Sequence, residues 1–318
     1  MSQRLYTFIS DLHMGNLSGA DDFHTCGSAP LLDRLISEVK ADSEHHLVVL
    51  GDFFELWQFT LDEIFAHNAR QLDAILSLAG EGRLTYVIGN HDFEPFNEYI
   101  PIKGIGRTFG IVPMLETFQI PKIGLYVEHG HQHDPHNLMM VPKPGFEIAN
   151  KISRRFLYYL KYIENRIPNV DDRLQSIWDF AKKRKSKSAQ AILESLPENN
   201  AEAITYYKEI ERSLLQSYTP PSKNPHDNED VWMRAAYKKM EESHGKYRTV
   251  IMGHTHVPRW VTSHGMTYIN SGSWCSSKYP CSFVRADVEK NSVALLRTEF
   301  KNGDINTKEY HELLIHKF

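Results

Sequence analysis

The chain has 318 residues, a formal net charge of −4, 41% hydrophobic and 24% charged residues. Such a chain can bury a large core, and its slight acidic excess excludes a general polyanion binder while leaving room for a local basic patch. Three cysteines with no ligand-like spacing, no apolar run of membrane-spanning length and no leader before "RLYTFISDLH" make a reducing, cytoplasmic setting the expectation.

Leu5 to Ser10, "LYTFIS", reads as a buried strand that stops at Asp11. "APLLDRLISEVKA" then sets Leu31, Leu32, Leu35, Ile36 and Val39 on one helical face. "HLVVLG" is a second strand, ending at Asp52, so the first third of the chain has βαβ spacing. "LDEIFAHNARQLDAILSLAG" is an amphipathic helix with Gly80 as its C-cap. "RLTYVIGN" and "IGLYVEHG" are further strands, ending at Asn90 and His129. Between about Asp134 and Gly245 the strand signal disappears. Four segments there read as helices, two of them separated by the Pro- and Asn-rich "TPPSKNPHDNED". "YRTVIMGHTH" is a fifth strand, ending at Gly253 and His254, and "GMTYINSGSW", "SFVRADV" and "SVALLRTEF" form a closing antiparallel set. The reading is an α/β domain over 1–134 and 246–318, interrupted by a helical, cap-like insertion over 135–245.

Each strand end carries groups of metal-ligand type. They are Asp11 and His13 in "SDLHMG", Asp52 in "LGDFF", Asn90, His91 and Asp92 in "GNHDF", His129 in "EHG", and His254 and His256 in "GHTHVP". Open α/β sheets bind ligands at the carboxyl ends of their strands, so these distant residues can converge. In extended chain, residues two apart point the same way, which lets Asp11 and His13 reach one ion. His254 and His256 can do the same, or can serve one each of two neighbouring ions. Glycines 51, 89, 130 and 253 allow sharp exits and close backbone approach. Carboxylate, imidazole and amide oxygen without thiolate favour Mn, Fe, Zn or Co over copper(I) or an iron–sulfur cluster. A short carboxylate bridges two cations easily, which makes Asp52 the natural shared ligand. Alone, "DLH" and "GD" are better read as turns or caps and "GNHD" equally so, while "GHTH" is more specific; five at successive strand ends point to a metal site.

The set "SDLH", "GD", "GNHD", "HG" and "GHTH" resembles the calcineurin-like metallophosphoesterases. The resemblance implies a four-layer α/β/β/α sandwich around a binuclear centre of two divalent ions, with Mn as the expected metal and Fe, Zn or Co as alternatives. It implies that Asp11, His13 and His256 hold one ion, that Asn90, His129 and His254 hold the other, and that Asp52 bridges them. It makes His91 the catalytic histidine and Asp92 the residue that orients it. The implied reaction is in-line attack on phosphorus by a hydroxide that the two metals activate, with His91 stabilising the transition state or protonating the leaving oxygen.

In wording, "SDLHMG", "GDFFELW" and "GNHDF" are most similar to the branch of UDP-2,3-diacylglucosamine pyrophosphohydrolases, which also carry a helical insertion. That implies a UDP-sugar-lipid-like diphosphate as substrate. The chain departs from the branch at "EHGHQHDPHN", where "HGD" is usual, and at His91, where many members have Arg. It departs from serine/threonine phosphatases by lacking Arg-Gly after the second motif and Glu after "GNH". Two other readings stay open. One is a Mn-dependent nuclease or phosphodiesterase of the same superfamily, with nucleic acid as partner. The other is a non-catalytic scaffold, against which stands the intact set of seven ligand positions.

Several neighbouring residues have both a functional and a bland reading. His131, His133, Asp134 and His136 are contacts to the metal ligands or to substrate phosphate, or a solvated loop. Arg154 and Arg155 in "RRFLYYLKY" contact phosphate or an acyl chain, or belong to a packed amphipathic helix. "KKRKSK" contacts a membrane surface or nucleic acid, or is a solvated helix end. Phe54 and Trp57 stack on a base or sugar, or pack against the first helix. "NSGSW" is a turn that shapes backbone near the site, with Ser271 and Ser273 structural. The expected substrate is a phosphate-ester or diphosphate small molecule, peripheral membrane contact is open, and oligomeric state is not legible.

Overall fold

Strands β1 (Leu5–Ile9), β2 (His45–Leu50), β3 (Leu84–Val87) and β4 (Met114–Leu115) run parallel. Strand β5 is Thr117–Ile120, β6 Leu125–Glu128, β7 Thr249–Met252, β8 Arg259–Ser263, β9 Met266–Asn270, β10 Ser282–Asp287, β11 Ser292–Lys301 and β12 Asp304–Leu314. Helices are α1 (Asp22–Thr25), α2 (Ala29–Ala41), α3 (Leu61–Gly80) and α4 (Val231–Glu242). The computed structural model describes residues 3–18, 21–56, 59–92, 114–133, 231–276, 281–301 and 304–314. The chain divides into two units, one of Met1–Phe93, Ile100–His131 and Trp232–Phe318, the other of Glu94–Tyr99 and Gln132–Val231. Nearly all described residues belong to the first unit, to which the account of layers applies.

The strands form a seven-stranded sheet, ordered β12-β11-β10-β1-β2-β3-β4, and a five-stranded sheet, ordered β5-β6-β7-β9-β8. Period-2 alternation explains how the layers stack. Ile9, Leu47, Val49, Leu84 and Tyr86 share a core with Leu32, Leu35, Ile36 and Val39 of α2 and Ile64, Leu72 and Ile75 of α3. The alternate residues Phe8, Val48, Leu50 and Val87 pack instead with Ile120, Leu125, Val127, Ile251 and Ile269 of the second sheet. The outer face of that sheet, with Tyr126, Val250, Met252 and Tyr268, packs on Met233, Ala235 and Ala236 of α4. The result is helix, sheet, sheet, helix: the four-layer sandwich. Helix α4, whose sequence lies in the stretch read as an insertion, packs on the second sheet. With each fully buried Leu, Ile or Phe contributing roughly 1.5–3 kcal/mol, both central strands are anchored from two sides.

Helix α3 opens with a capping box in which Thr60 and Glu63 satisfy each other's backbone N–H groups. It kinks at buried Asn68, whose amide donates to the carbonyls of Ile64 (2.8 Å) and Gly15 (2.7 Å). A helix interior thereby holds the loop that follows β1.

The amino end of β2 buries two histidines. His45 bonds the Thr7 hydroxyl (2.7 Å) and His46 the Thr85 hydroxyl (2.8 Å), while Nδ1 of His46 is buried without a partner. Burial pushes both rings down to about 4, helped by Arg285 at His45 and Arg83 at His46. The unfolded rings titrate near 6.5, so between these values the unfolded chain binds more protons. Their contribution is complete above pH ~6.5 and is lost as pH falls toward ~4. We expect His46→Phe, which keeps the ring packing on Phe118, to flatten the fall of the urea midpoint between pH 7 and 4. The flattening should be on the order of 2 kcal/mol after solvent screening is allowed for. A slope identical to that of the wild type would contradict this.

Candidate metal and active site

The site forms where the two sheets end. The turns after β1, β2, β6 and β7 are stitched to one another: Asp11 N–H donates to the Gly51 carbonyl (3.1 Å), His13 N–H to that of Asp52 (3.0 Å), and Gly253 N–H to that of His129 (3.0 Å). The strands stop short of the motifs, so Asp11 and His13 do not converge through extended alternation. Asp11, His13, Asp52, His254 and His256 all have left-handed backbone, with φ of 52°, 48°, 51°, 69° and 59°. Non-glycine residues adopt this region at a cost, and such strain clusters at functional sites. Two glycines make the crowding possible. Gly51 has φ 79°, and a Cβ there would meet the His129 ring. A Cβ at Gly89 would overlap the carboxylate and amide of Asp52.

The side chains meet closely. Nε2 of His13 lies 3.1 Å from Nε2 of His256, which is 3.3 Å from Oδ1 of Asp11. Oδ2 of Asp52 lies 3.1 Å from Nε2 of His129 and 3.8 Å from Nε2 of His13. Asn90 Oδ1 is 3.1 Å from Nδ1 of His254. Asp11, His13, Asp52 and His129 are buried, whereas His254 and His256 are half-buried and mark the open side. Among the described residues, Asp11–His13–Asp52 and Asp52–His129–His254 each bring three donor atoms within 4.8 Å of one another.

The donor set fits divalent cations. His129 Nδ1 bonds the Leu50 carbonyl (2.8 Å), which leaves Nε2 buried, close to Asp52 and without a hydrogen bond. Burial alone would push His129 down, yet Asp52 and Asp11 raise it to about 9, so the surroundings call for positive charge at Nε2. Asp52 itself sits well below the usual carboxylate range: burial opposes this, but His129, His91 and His13 outweigh it.

A family model described as calcineurin-like phosphoesterase matches residues 5–258. The chain belongs to the calcineurin-like phosphoesterases. The solved structures it resembles include a dimetal phosphatase from Danio rerio (13% identity, 98% of this chain and 100% of that chain covered, TM-score 0.43). Others are a phosphoesterase from E. coli (14%, 98% and 100%, 0.40) and vacuolar protein sorting 29 from Cryptosporidium parvum (14%, 99% and 100%, 0.39). Likeness at this level carries no argument about function. No curated protein matches the chain. As a family member it is a hydrolase of phosphoric esters, a class that uses divalent metals, and its His/Asp clusters could hold them. No helix of the phosphoesterase, among the described residues, is long and apolar enough to cross a membrane.

The structure corrects one expected role in this phosphoesterase. Asp92 does not orient His91. Its Oδ1 accepts from the N–H groups of Phe53 and Phe54 and from the Tyr86 hydroxyl, and its Oδ2 from the N–H groups of Asp52 and Gly89, all at 2.7–3.2 Å. A carboxylate with five donors is a clamp on the turn that carries Asp52. Burial, with Asp52 nearby, raises it to about 6. The acceptor on His91 is Glu55, whose Oε1 lies 2.9 Å from Nδ1 of His91 and whose Oε2 lies 2.8 Å from Nδ1 of His13. Burial would raise the Glu55 carboxyl, but His91 and His13 hold it far below its ordinary range. The signal for Glu55 was present: one acid inside the apolar run "FFELW" is buried only if paired.

Phe54 is also settled. It is fully buried against Phe53 and Phe65, so its ring is packed and not open to a base or sugar. His131 is half-buried with its ring 5.4 Å from that of His129; His133 lies in the same short 3-10 turn, also half-buried. Trp57, Asp134, His136, Arg154, Arg155 and "KKRKSK" lie outside the described residues.

Proposed function

We propose that this phosphoesterase cleaves a phosphoric ester or diphosphate bond with two divalent cations. Asp11, His13 and His256 would hold one, Asn90, His129 and His254 the other, and Asp52 would serve both. The observation that carries this is the position of Asp52: one of its oxygens faces an imidazole from each set, at 3.1 and 3.8 Å. When bound, such a pair supplies Lewis acidity, which lowers the pKa of water and offsets charge on phosphate oxygens.

The chain's own residues do the rest. Glu55 keeps the protons of His13 and His91 on their Nδ1 atoms, which leaves Nε2 of His13 with a lone pair to give. With Nδ1–H held by Glu55, Nε2 of the doubly protonated His91 ring is the atom that would pass a proton to the leaving oxygen. The wording of "SDLHMG", "GDFFELW" and "GNHDF" supports a UDP-sugar-lipid-like diphosphate as the substrate, and the thiolate-free donor set supports Mn²⁺ as the first ion to try.

The test is to strip the protein of metal, restore Mn²⁺, Fe²⁺, Zn²⁺ or Co²⁺, and offer p-nitrophenyl phosphate, bis-p-nitrophenyl phosphate, UDP-sugars and DNA. We expect metal-dependent release from an ester or diphosphate. Cleavage of DNA alone, with a rate falling steeply in salt, would move the chain to the nuclease reading. No hydrolysis with any ion would sink the proposal.

A further inference from the structure

The turn after β9 carries residues that the proposed function leaves unused. Asn270 donates to the Gly253 carbonyl (2.5 Å) and accepts from Gly272 N–H (3.0 Å), and the Ser271 hydroxyl meets that of Ser10 (2.7 Å). Trp274 N–H donates to the Asp11 carbonyl (3.0 Å) and its indole N–H to that of Ser282 (2.9 Å), while the Ser28 hydroxyl donates to the Trp274 carbonyl. The Ser273 hydroxyl lies 3.5 Å from the His256 carbonyl. This buried turn is thus fastened to the backbone of Asp11 and of His256, two of the residues assigned to one cation.

From the same turn a side chain reaches an imidazole. Sγ of Cys275 lies 3.6 Å from Nδ1 of His256, whose other nitrogen points at Asp11 and His13. The arrangement repeats around the centre. Nδ1 of His13 and of His91 each meet a Glu55 oxygen, and Nδ1 of His129 meets the Leu50 carbonyl. Ligand imidazoles generally donate their outer N–H to such a partner, which fixes tautomer and aim. His256 has sulfur where the others have oxygen.

We propose that Cys275 is the positioning residue of His256. Its sulfur accepts the Nδ1–H, so Nε2 keeps its lone pair for the cation shared with Asp11 and His13. This assignment rests on the functional reading above. Sulfur is a weak acceptor, so the rigidity of the turn does much of the aiming; a hydroxyl at this position can replace the thiol, and a methyl cannot.

The experiment is Mn²⁺ titration calorimetry on the metal-stripped full chain, with thermal melts alongside. The wild type should show two binding events. In Cys275→Ala one event should weaken about 10–100-fold, as for other outer partners of ligand histidines, with the second event and the melting temperature held. Cys275→Ser should stay within about threefold of the wild type, and Cys26→Ser, at a thiol away from the ligands, should match it. Cys275→Ala with two wild-type events would overturn the assignment. So would equal loss of both events with a lowered melting temperature, which would mark a damaged fold. A wild type that binds no ion would overturn the functional reading, and this assignment with it.

Discussion

Asp52→Asn should leave a folded protein with hydrolysis reduced by about 10³-fold or more, because the several kcal/mol of charge stabilisation expected from a paired metal site is worth a decade for each 1.36 kcal/mol. The substitution is nearly isosteric. The remaining oxygen still accepts the His91 N–H, a 2.7 Å bond to Oδ1 in the wild type. What disappears is the charge that His129 and His13 face from two sides. A circular dichroism melt checks the fold, and steady-state kinetics on bis-p-nitrophenyl phosphate in excess Mn²⁺ checks the rate. A folded variant within tenfold of the wild type would mean that Asp52 is a turn residue.

Glu55→Gln is the second large effect. One carboxylate holds Nδ1 of both His13 and His91. An amide has one oxygen and one NH₂ group, so it can accept from only one ring and must donate to the other. Whichever ring faces the NH₂ must accept at Nδ1, so Nε2 of His13 would lose its lone pair, and a protonated His91 would lose the carboxylate that supports it. If that ring is His13, metal affinity should fall; if it is His91, kcat should fall with metal affinity held. Either loss should be about 10–100-fold, typical of a group that orients ligands from outside. Parallel metal titration and kinetics separate the two outcomes. Wild-type values in both would show that the Glu55 contacts are packing alone.

The architecture was legible because its signals are local and periodic. The alternation in "LVVL" accounts for the two buried faces of β2, one on α2 and α3 and the other on the second sheet. The strand-end motifs named the residues that converge, since a sheet delivers the carboxyl ends of its strands to one edge. What the sequence did not disclose is how they converge. Left-handed backbone at Asp11, His13, Asp52, His254 and His256 is set by hydrogen bonds between turns distant in the chain, and no window of residues reports those. The partner of His91 was misassigned for the same reason. Asp92 is its chain neighbour, but the backbone amides of Gly89 and of Asp52 to Phe54 claim that carboxylate, and Glu55 arrives from another strand end. Phe54, beside Asp52, reads equally as a stacking platform or a packed ring because exposure is not written in a dipeptide; it is core.

The central claim is that one shared carboxylate joins two cation sites in this phosphoesterase. Metal content after dialysis, read per chain by mass spectrometry, tests it most directly. The account predicts two divalent ions per wild-type chain and at most one in Asp52→Asn. A wild-type chain that retains one ion or none in excess Mn²⁺, or an Asp52→Asn chain that still retains two, would contradict it.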